Sequence, residues 1–245
     1  MLPERTRLMF EFDPHTHSIA SGHASSSTIT DMAKKAASLR LKMLGITDHG
    51  PATLCAGRPS YFRSLTFAPK KRFGIEILYG VELNILNRDG STDLASEILK
   101  DLDYAIASMH PQNFQPGTAQ YNTDAYINAM KSPYVKIIGH CDDTKYPVDY
   151  ETLTKAAKQY HVLLEINNSS LSPDGYRGDT KANASRILDC CLRHSHPVIL
   201  SSDSHGTGHI GDFRYASSLI EEAGFPKELI LNYSLDAFKA FLKLK

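Results

Sequence analysis

The chain has 245 residues, enough for one or two domains or for one large α/β barrel that uses all of them. Its 27 Lys and Arg balance 27 Asp and Glu, and this zero net charge argues against a protein that wraps duplex nucleic acid. A hydrophobic share of 42% and a charged share of 22% describe an ordinary globular protein, with no apolar run near the roughly 18 residues of a membrane span.

Short β-branched segments alternate with segments of helical period along the chain. Strands are predicted at residues 8–12, 43–47, 75–83, 104–107, 135–138, 162–166 and 198–200. Helices are predicted at residues 29–40, 91–100, 123–131, 150–160, 181–193, 212–222 and 235–242. A long loop with a short helix is expected over 54–72, and a turn or small hairpin at 87–90. This alternation predicts a parallel sheet, either open and doubly wound or closed into a barrel.

Polar residues at the strand ends favour the barrel. Six of the seven predicted strands are followed by His, Asp or Glu, and the candidate metal ligands are His15, His17, His23, His49, Glu82, His110, His140, Asp203 and His205. In an open sheet these strand ends would lie along a line, and only neighbours would cooperate. In a closed barrel they all surround one mouth, which is the usual active face of a β/α barrel.

The number and type of these residues indicate a metal centre. Nine candidates exceed the three or four protein ligands of one zinc ion, so two or three ions are expected. Imidazole with few carboxylates suits zinc, manganese or iron better than magnesium or calcium. Asp13 and Asp48 each lie beside a candidate histidine, where they would either accept a hydrogen bond from an imidazole or cap a helix and line the rim. Outside the site we expect three structural histidines and one that could line the mouth: His161, His194, His196 and, at the mouth, His209.

Taken together, these motifs resemble the polymerase-and-histidinol-phosphatase (PHP) family. Asp13-Pro-His15-Thr-His17, Thr47-Asp-His49, Gly80-Val-Glu82 and Asp203-Ser-His205 match in order, with His23, His110 and His140. The strings at 46–51 and 164–170 are similar to the YcdX-like branch of probable phosphatases. After His140, Cys141-Asp142-Asp143 replaces the His-Pro-Gly-like run expected of this branch, which puts the shape of the pocket in question. Cys141 is expected to point into the core rather than to act as a ligand or nucleophile.

The resemblance implies a distorted (β/α)7 barrel, here a single domain over residues 1–245, with a trinuclear site of divalent transition-metal ions. Zinc is the first expectation, and manganese and iron are alternatives. By analogy the first ion is held by His15, His17, Glu82 and Asp203. The second is held by Glu82, His110 and His140, and the third by His23, His49 and His205. The expected catalytic residues among them are Glu82, Asp203 and His205.

The expected activity is hydrolysis of a phosphate ester by a hydroxide that bridges two ions. A dianionic phosphomonoester of a small metabolite complements such a cationic site best. The alternatives are a phosphodiesterase or exonuclease acting on nucleotides or short oligonucleotides, and a metal-binding protein without turnover. Arg177 is the expected substrate-binding residue, whereas Arg58 is more typical of a surface arginine.

We expect a small phosphorylated substrate as the main partner and no membrane or long-duplex partner, and we leave a homo-oligomeric state open. A cytoplasmic location is expected for two reasons. The N-terminal segment lacks a signal-peptide apolar region, and the four cysteines include no CxxC pair.

Overall fold

The computed structural model describes residues 10–244 and confirms the predicted alternation of strands and helices. The strands are β1 (Phe12–Asp13), β2 (Thr16–His17), β3 (Met43–Ile46), β4 (Lys71–Arg72), β5 (Ile75–Asn84), β6 (Tyr104–Ser108), β7 (Val135–Ile138), β8 (Leu163–Asn167), β9 (Val198–Ser201) and β10 (Ser204–His205). The helices are α1 (Ile29–Ser38), α2 (Pro59–Leu65), α3 (Ser96–Leu99), α4 (Ala119–Met130), α5 (Tyr150–Tyr160), α6 (Lys181–Arg193), α7 (Arg214–Glu222) and α8 (Leu235–Leu242). No helix in this described part is long and apolar enough to cross a membrane.

Seven strands form one parallel sheet in the order β1, β3, β5, β6, β7, β8, β9, and β4 lies antiparallel beside β5. Between consecutive strands of this path the chain crosses over, mostly through helices, as parallel pairing requires. The architecture is the expected distorted (β/α)7 barrel.

An apolar layer fills the interior of the barrel. Each of the seven strands contributes a side chain to one buried cluster, so the sheet must curl around it rather than lie open. Its strand members are Phe12, Met43, Leu78, Tyr104, Ile106, Ile137, Leu163 and Ile199. From α8, Phe238 stacks on Phe12 with ring centroids 4.6 Å apart, and Leu242 joins the same cluster. Helix α8 therefore covers the end of the barrel at which the strands begin. The opposite end, at which the strands finish, is left for the site.

The barrel is distorted at the junction between β1 and β9, the first and last strands of the path, which we call the seam. Within residues 10–244 no continuous ladder joins these two strands. The buried Asn232 amide bridges them instead: it donates to the carbonyl oxygens of Leu200 at 2.8 Å and Phe12 at 3.4 Å, and it accepts from the Leu200 N–H. Nearer the mouth, the seam is closed by the short parallel pair β2 and β10, which the sequence did not predict.

Most differences from the predicted elements occur where a side chain or a turn competes with regular structure. The helix predicted at 91–100 begins only at Ser96, because Ser91 pairs with Leu86 in the expected hairpin and Asp93 accepts the Asn84 backbone N–H. Of the predicted strand at 8–12, residues 8 and 9 lie outside the described residues; of residues 10–12 only Phe12 is in β1, which continues to Asp13. The 54–72 loop contains α2, as expected.

Candidate metal centre

Glu82 lies at the centre of the C-terminal mouth of the barrel. It is 1% exposed near the end of β5, and a backbone bridge pairs it with His49. Ring nitrogens lie within 3.5 Å of one or other of its carboxylate oxygens in five histidines: His15, His17, His49, His110 and His140. The shortest distances are 2.7 Å, from Oε2 to His49 Nδ1, and 2.9 Å, from Oε1 to His140 Nε2. One carboxylate is thus shared by five histidines from four segments of the chain, those that follow β1, β3, β6 and β7.

The second carboxylate of the site belongs to Asp203, which follows β9. Its Oδ1 lies 3.2 Å from His17 Nε2 and 3.8 Å from both His15 Nε2 and His205 Nδ1. Asp203 has a φ of +53°, and His140 has a φ of +27°. Such left-handed backbone is uncommon for residues with a β-carbon and often marks a functional site. Both residues turn the chain sharply where their strands end.

A stack of imidazoles covers the side of the site formed by β2 and β10. Parallel pairing sets His205 opposite His17, with ring centroids 4.2 Å apart. His49 stacks on the same His17 ring at 4.3 Å. The exposed His23 lies 4.9 Å from His49 and 5.0 Å from His205 by ring centroid. All nine candidate ligands therefore meet at one mouth.

Three groups of ligand atoms lie close enough to share an ion. One is His15, His17 and Asp203, another is His49, Glu82 and His110, and the third is His17, His49 and His205. They resemble the partition implied by the family with three differences: Glu82 is absent from the first group, His49 stands in the second in place of His140, and His17 stands in the third in place of His23. Within the described chain, His23 and His140 belong to none of these groups, although both contact members of them. The assignment of ligands to individual ions stays a prediction.

The imidazole tautomers suit metal binding. In four histidines Nδ1 faces an acceptor that is not one of the candidate ligand atoms, so Nδ1 carries the proton and Nε2 keeps its lone pair for a metal. These pairs are His15 with Glu165 Oε1 at 2.6 Å, His17 with Ser21 Oγ at 2.9 Å, His110 with Asn84 Oδ1 at 2.7 Å, and His205 with the Asp203 carbonyl oxygen at 3.2 Å.

Five buried atoms of candidate ligands lack a hydrogen-bond partner among residues 10–244: His49 Nδ1, Glu82 Oε2, His110 Nε2, His140 Nδ1 and His205 Nε2. Buried polar atoms are rarely left unpaired in native proteins, and divalent cations bound among Glu82, His49, His110 and His205 would satisfy four of the five. The residues present therefore fit a centre of transition-metal ions.

The pKa values of three ligands point the same way, and His15 is the exception: burial lowers its pKa, but Glu165 and Glu82 raise it well above its usual value. Burial alone would raise the pKa of Glu82, but His49 and His110 hold it well below its usual value. Burial is likewise outweighed at Asp203, where His15 and Arg177 keep the pKa well below its usual range. Burial and the neighbouring His205 lower the pKa of His17 well below its usual value. Ionised carboxylates and neutral imidazole are the forms that bind a metal.

Neither aspartate proposed to orient an imidazole does so directly. Asp13 accepts from the backbone and hydroxyl of Ser202 and from the Gly211 N–H, so it ties β1 to the segment after β9. Asp48 accepts from the Ser21 hydroxyl at 2.7 Å, and it reaches His17 only through that serine.

Glu165 makes the direct carboxylate contact instead, to His15. Sequence reasoning missed it because β8 carries no histidine at its end. Glu165 lies two residues after Leu163, whose side chain faces the barrel interior. Side chains two residues apart on a strand point to the same face, so this spacing could have indicated that Glu165 also faces the interior.

The other predicted residues lie as follows. Arg177 is 4% exposed; its Nη2 lies 3.0 Å from Asp203 Oδ2, and its Nη1 donates to Ser170 Oγ at 3.2 Å. Arg58 is exposed at the start of α2. Cys141 is buried in the main hydrophobic core, as expected. The histidines expected outside the centre contact other groups or solvent: His161 the Phe241 carbonyl, His194 the Glu151 carboxylate, His196 the Val162 carbonyl, and His209 mostly solvent.

Comparisons with known proteins agree with this geometry. The chain matches the PHP domain over residues 13–171, a range that holds every candidate ligand except Asp203 and His205. It is 40% identical over 238 residues to a protein of Clostridium novyi named a probable phosphatase, covering 97% of this chain and 96% of the relative. It is 42% identical over 245 residues to another probable phosphatase, from Caldanaerobacter subterraneus, covering 98% and 94%.

A solved structure has a similar fold. Histidinol phosphate phosphatase from Lactococcus lactis, determined with zinc, L-histidinol and phosphate, aligns with a TM-score of 0.63 at 21% identity. The alignment covers 88% of this chain and 94% of that protein. With a family match across more than half of its length and relatives that share about two fifths of its residues, the chain belongs to the PHP domain family.

Proposed function

We propose that the protein is a metal-dependent phosphomonoesterase that acts on a small phosphorylated metabolite at a centre of three divalent transition-metal ions, with zinc as the first choice. The chain is a phosphoric ester hydrolase, in line with its relatives named probable phosphatases. One observation carries the proposal: five imidazoles surround the single ionised carboxylate of Glu82 at the mouth of the barrel. Zinc in the related histidinol phosphate phosphatase supports the choice of metal.

Charge favours a dianionic substrate. Three divalent ions would bring six positive charges, of which Glu82 and Asp203 offset two. The buried Glu165 and Arg177 both touch the ligand set with opposite charges, so they offset each other. After a hydroxide is added, the site still carries a net positive charge that a phosphate monoester complements better than a diester or a neutral amide does.

The residues of the chain have separate tasks in this scheme. Glu82 spans the mouth and would hold two ions, while Asp203 and His205 close the side next to the seam. When bound, the ions supply a hydroxide nucleophile from water and positive charge for the phosphoryl oxygens. Arg177 is proposed to add a fixed cation beside Asp203, within reach of a substrate phosphate. No serine or cysteine nucleophile is required, and the buried Cys141, whose pKa is raised by burial, is unsuited to that role.

We further propose a cytoplasmic location and a small-molecule partner rather than long duplex nucleic acid. All four cysteines are free, which suits a reducing compartment. The zero net charge offers no basic surface excess for a polyanion. A single domain over residues 1–245 and a homo-oligomeric state also remain proposals.

The test compares an aryl phosphate monoester with a bis-aryl phosphodiester, using protein loaded separately with zinc, manganese and iron. We expect a kcat/KM for the monoester at least about tenfold higher, because one extra unit charge about 4 Å from a cation is worth up to roughly 4 kcal/mol at an effective dielectric constant of about 20. A kcat/KM that favours the diester would instead support the phosphodiesterase or exonuclease alternative. Glu82→Ala serves as the control for contaminating phosphatase.

A further inference from the structure

Glu165 is buried near the end of β8, the one strand of the seven-strand barrel without a candidate metal ligand. Its side chain is 1% exposed and accepts four hydrogen bonds. Oε1 accepts from His15 Nδ1 at 2.6 Å and from the Ser201 hydroxyl. Oε2 accepts from the His140 backbone N–H at 2.7 Å and from the Asn167 side-chain amide at 3.0 Å. The donors come from the ends of β1, β7, β8 and β9, so one carboxylate connects four strands at the mouth.

At position 165, both terminal atoms of the side chain must accept hydrogen bonds. An ionised carboxylate has that capacity, whereas a glutamine amide has an acceptor on one side and a donor on the other. If the amide nitrogen faced His15, the imidazole would have to move its proton to Nε2, and that nitrogen would no longer bind a metal. If it faced His140 instead, a buried backbone N–H would lose its acceptor.

Two of the four donors belong to residues of the metal centre. The contact with His15 fixes both the rotation and the tautomer of that ring, and it directs Nε2 toward Glu82 and Asp203. The contact with His140 holds a backbone turn with a φ of +27°, a conformation that persists only where its surroundings enforce it. That turn brings His140 Nε2 within 2.9 Å of Glu82.

We infer that Glu165 is a positioning residue that assembles the metal centre. It holds His15 in the rotation and tautomer that leave Nε2 free to bind a metal, and it holds the backbone turn at His140 so that this imidazole reaches Glu82. It acts through these two residues and has no direct contact with an ion or a substrate. The inference rests on the proposed metal centre but not on which phosphate ester is hydrolysed. Loss of such a partner of a metal-binding histidine typically weakens metal binding about 10- to 100-fold.

The experiment measures zinc retention without reference to activity. Wild-type protein and Glu165→Gln are equilibrated over a series of buffered free-zinc concentrations, and bound zinc per chain is determined by elemental analysis. We expect the variant to need about 10- to 100-fold more free zinc for half occupancy of its weakest-held ion, with an unchanged circular dichroism spectrum. Should Glu165→Gln fail to fold, Glu165→Asp replaces it, because that carboxylate is withdrawn from His15 by one methylene.

Asn232→Ala is the matched control for a purely structural effect. Asn232 is also buried and also joins two barrel strands by side-chain hydrogen bonds, but its partners are the backbones of Phe12 and Leu200 rather than an imidazole. We expect this variant to lower the melting temperature and to keep wild-type zinc affinity. Zinc affinity unchanged in the folded Glu165 variant would overturn the inference. A wild-type chain that binds no metal would overturn the proposed function instead, so the two failures are distinguishable.

Discussion

Replacing Glu82 by alanine should disturb more of the metal centre than replacing His23. Glu82 presents its two oxygens to five imidazoles and is proposed to bridge two ions. The exposed His23 stacks on His49, lies beside His205, and belongs to none of the close ligand groups of the described chain. Without the carboxylate, two cations would face each other with one less negative charge between them. Both occupancies should fall.

The magnitude follows from these contacts. Losing an outer partner of a ligand already costs about 10- to 100-fold in metal affinity, so losing the shared carboxylate should cost at least about 100-fold for each bridged ion, or about 2.7 kcal/mol. His23→Ala should weaken only the third ion, because His49 and His205 remain beside it. Activity should fall in both variants, and the barrel should stay folded, since its apolar interior does not depend on the ions.

The assay is elemental analysis of bound metal after equal dialysis, with circular dichroism in parallel. Wild-type protein should hold more than one and up to three transition-metal ions per chain, Glu82→Ala should lose the most, and His23→Ala should keep the bridged pair. Equal metal loss in the two variants would show that the ions bind as one cooperative cluster, and the proposed division of ligands would be wrong. One ion or none in the remetallated wild type would refute the trinuclear centre itself.

Two further predictions concern charged or titrating groups around the site and in the core. Arg177→Met should lower kcat/KM for a phosphate monoester by about 10- to 100-fold, because a charge-assisted hydrogen bond contributes about 1.5–3 kcal/mol. Steady-state kinetics and inhibition by inorganic phosphate will measure this effect. Unchanged kinetics with only a lower melting temperature would assign Arg177 a structural role. Burial lowers the pKa of His196 to about 4, so the fold disfavours its protonation and should lose about 3 kcal/mol as the pH falls from about 6.5 to 4. In urea unfolding at both pH values, the stability of His196→Gln relative to wild type should rise by that amount on acidification, and a pH-independent difference would contradict the assignment.

The sequence by itself determined the elements that depend on local pattern. Helices 150–160, 181–193 and 235–242 and the strand 135–138 have the predicted bounds, because hydrophobic periodicity and capping residues are local properties. The convergence of the candidate ligands followed from one topological rule: polar residues that end parallel strands meet at one mouth if the sheet closes. The family resemblance added the same ligand set, and the family is confirmed. The role of each ligand stays a prediction.

The tertiary structure alone decided which groups surround those ligands. The carboxylate that orients His15 is Glu165, 150 residues away in the sequence, whereas the adjacent Asp13 crosses the seam to Ser202. Arg177 is buried against Asp203, which its loop sequence did not indicate. The strands β2 and β10 exist only because they pair with each other. These contacts depend on how distant strands are brought together, and a two-residue strand or a lone acidic side chain carries no local pattern that specifies its partner.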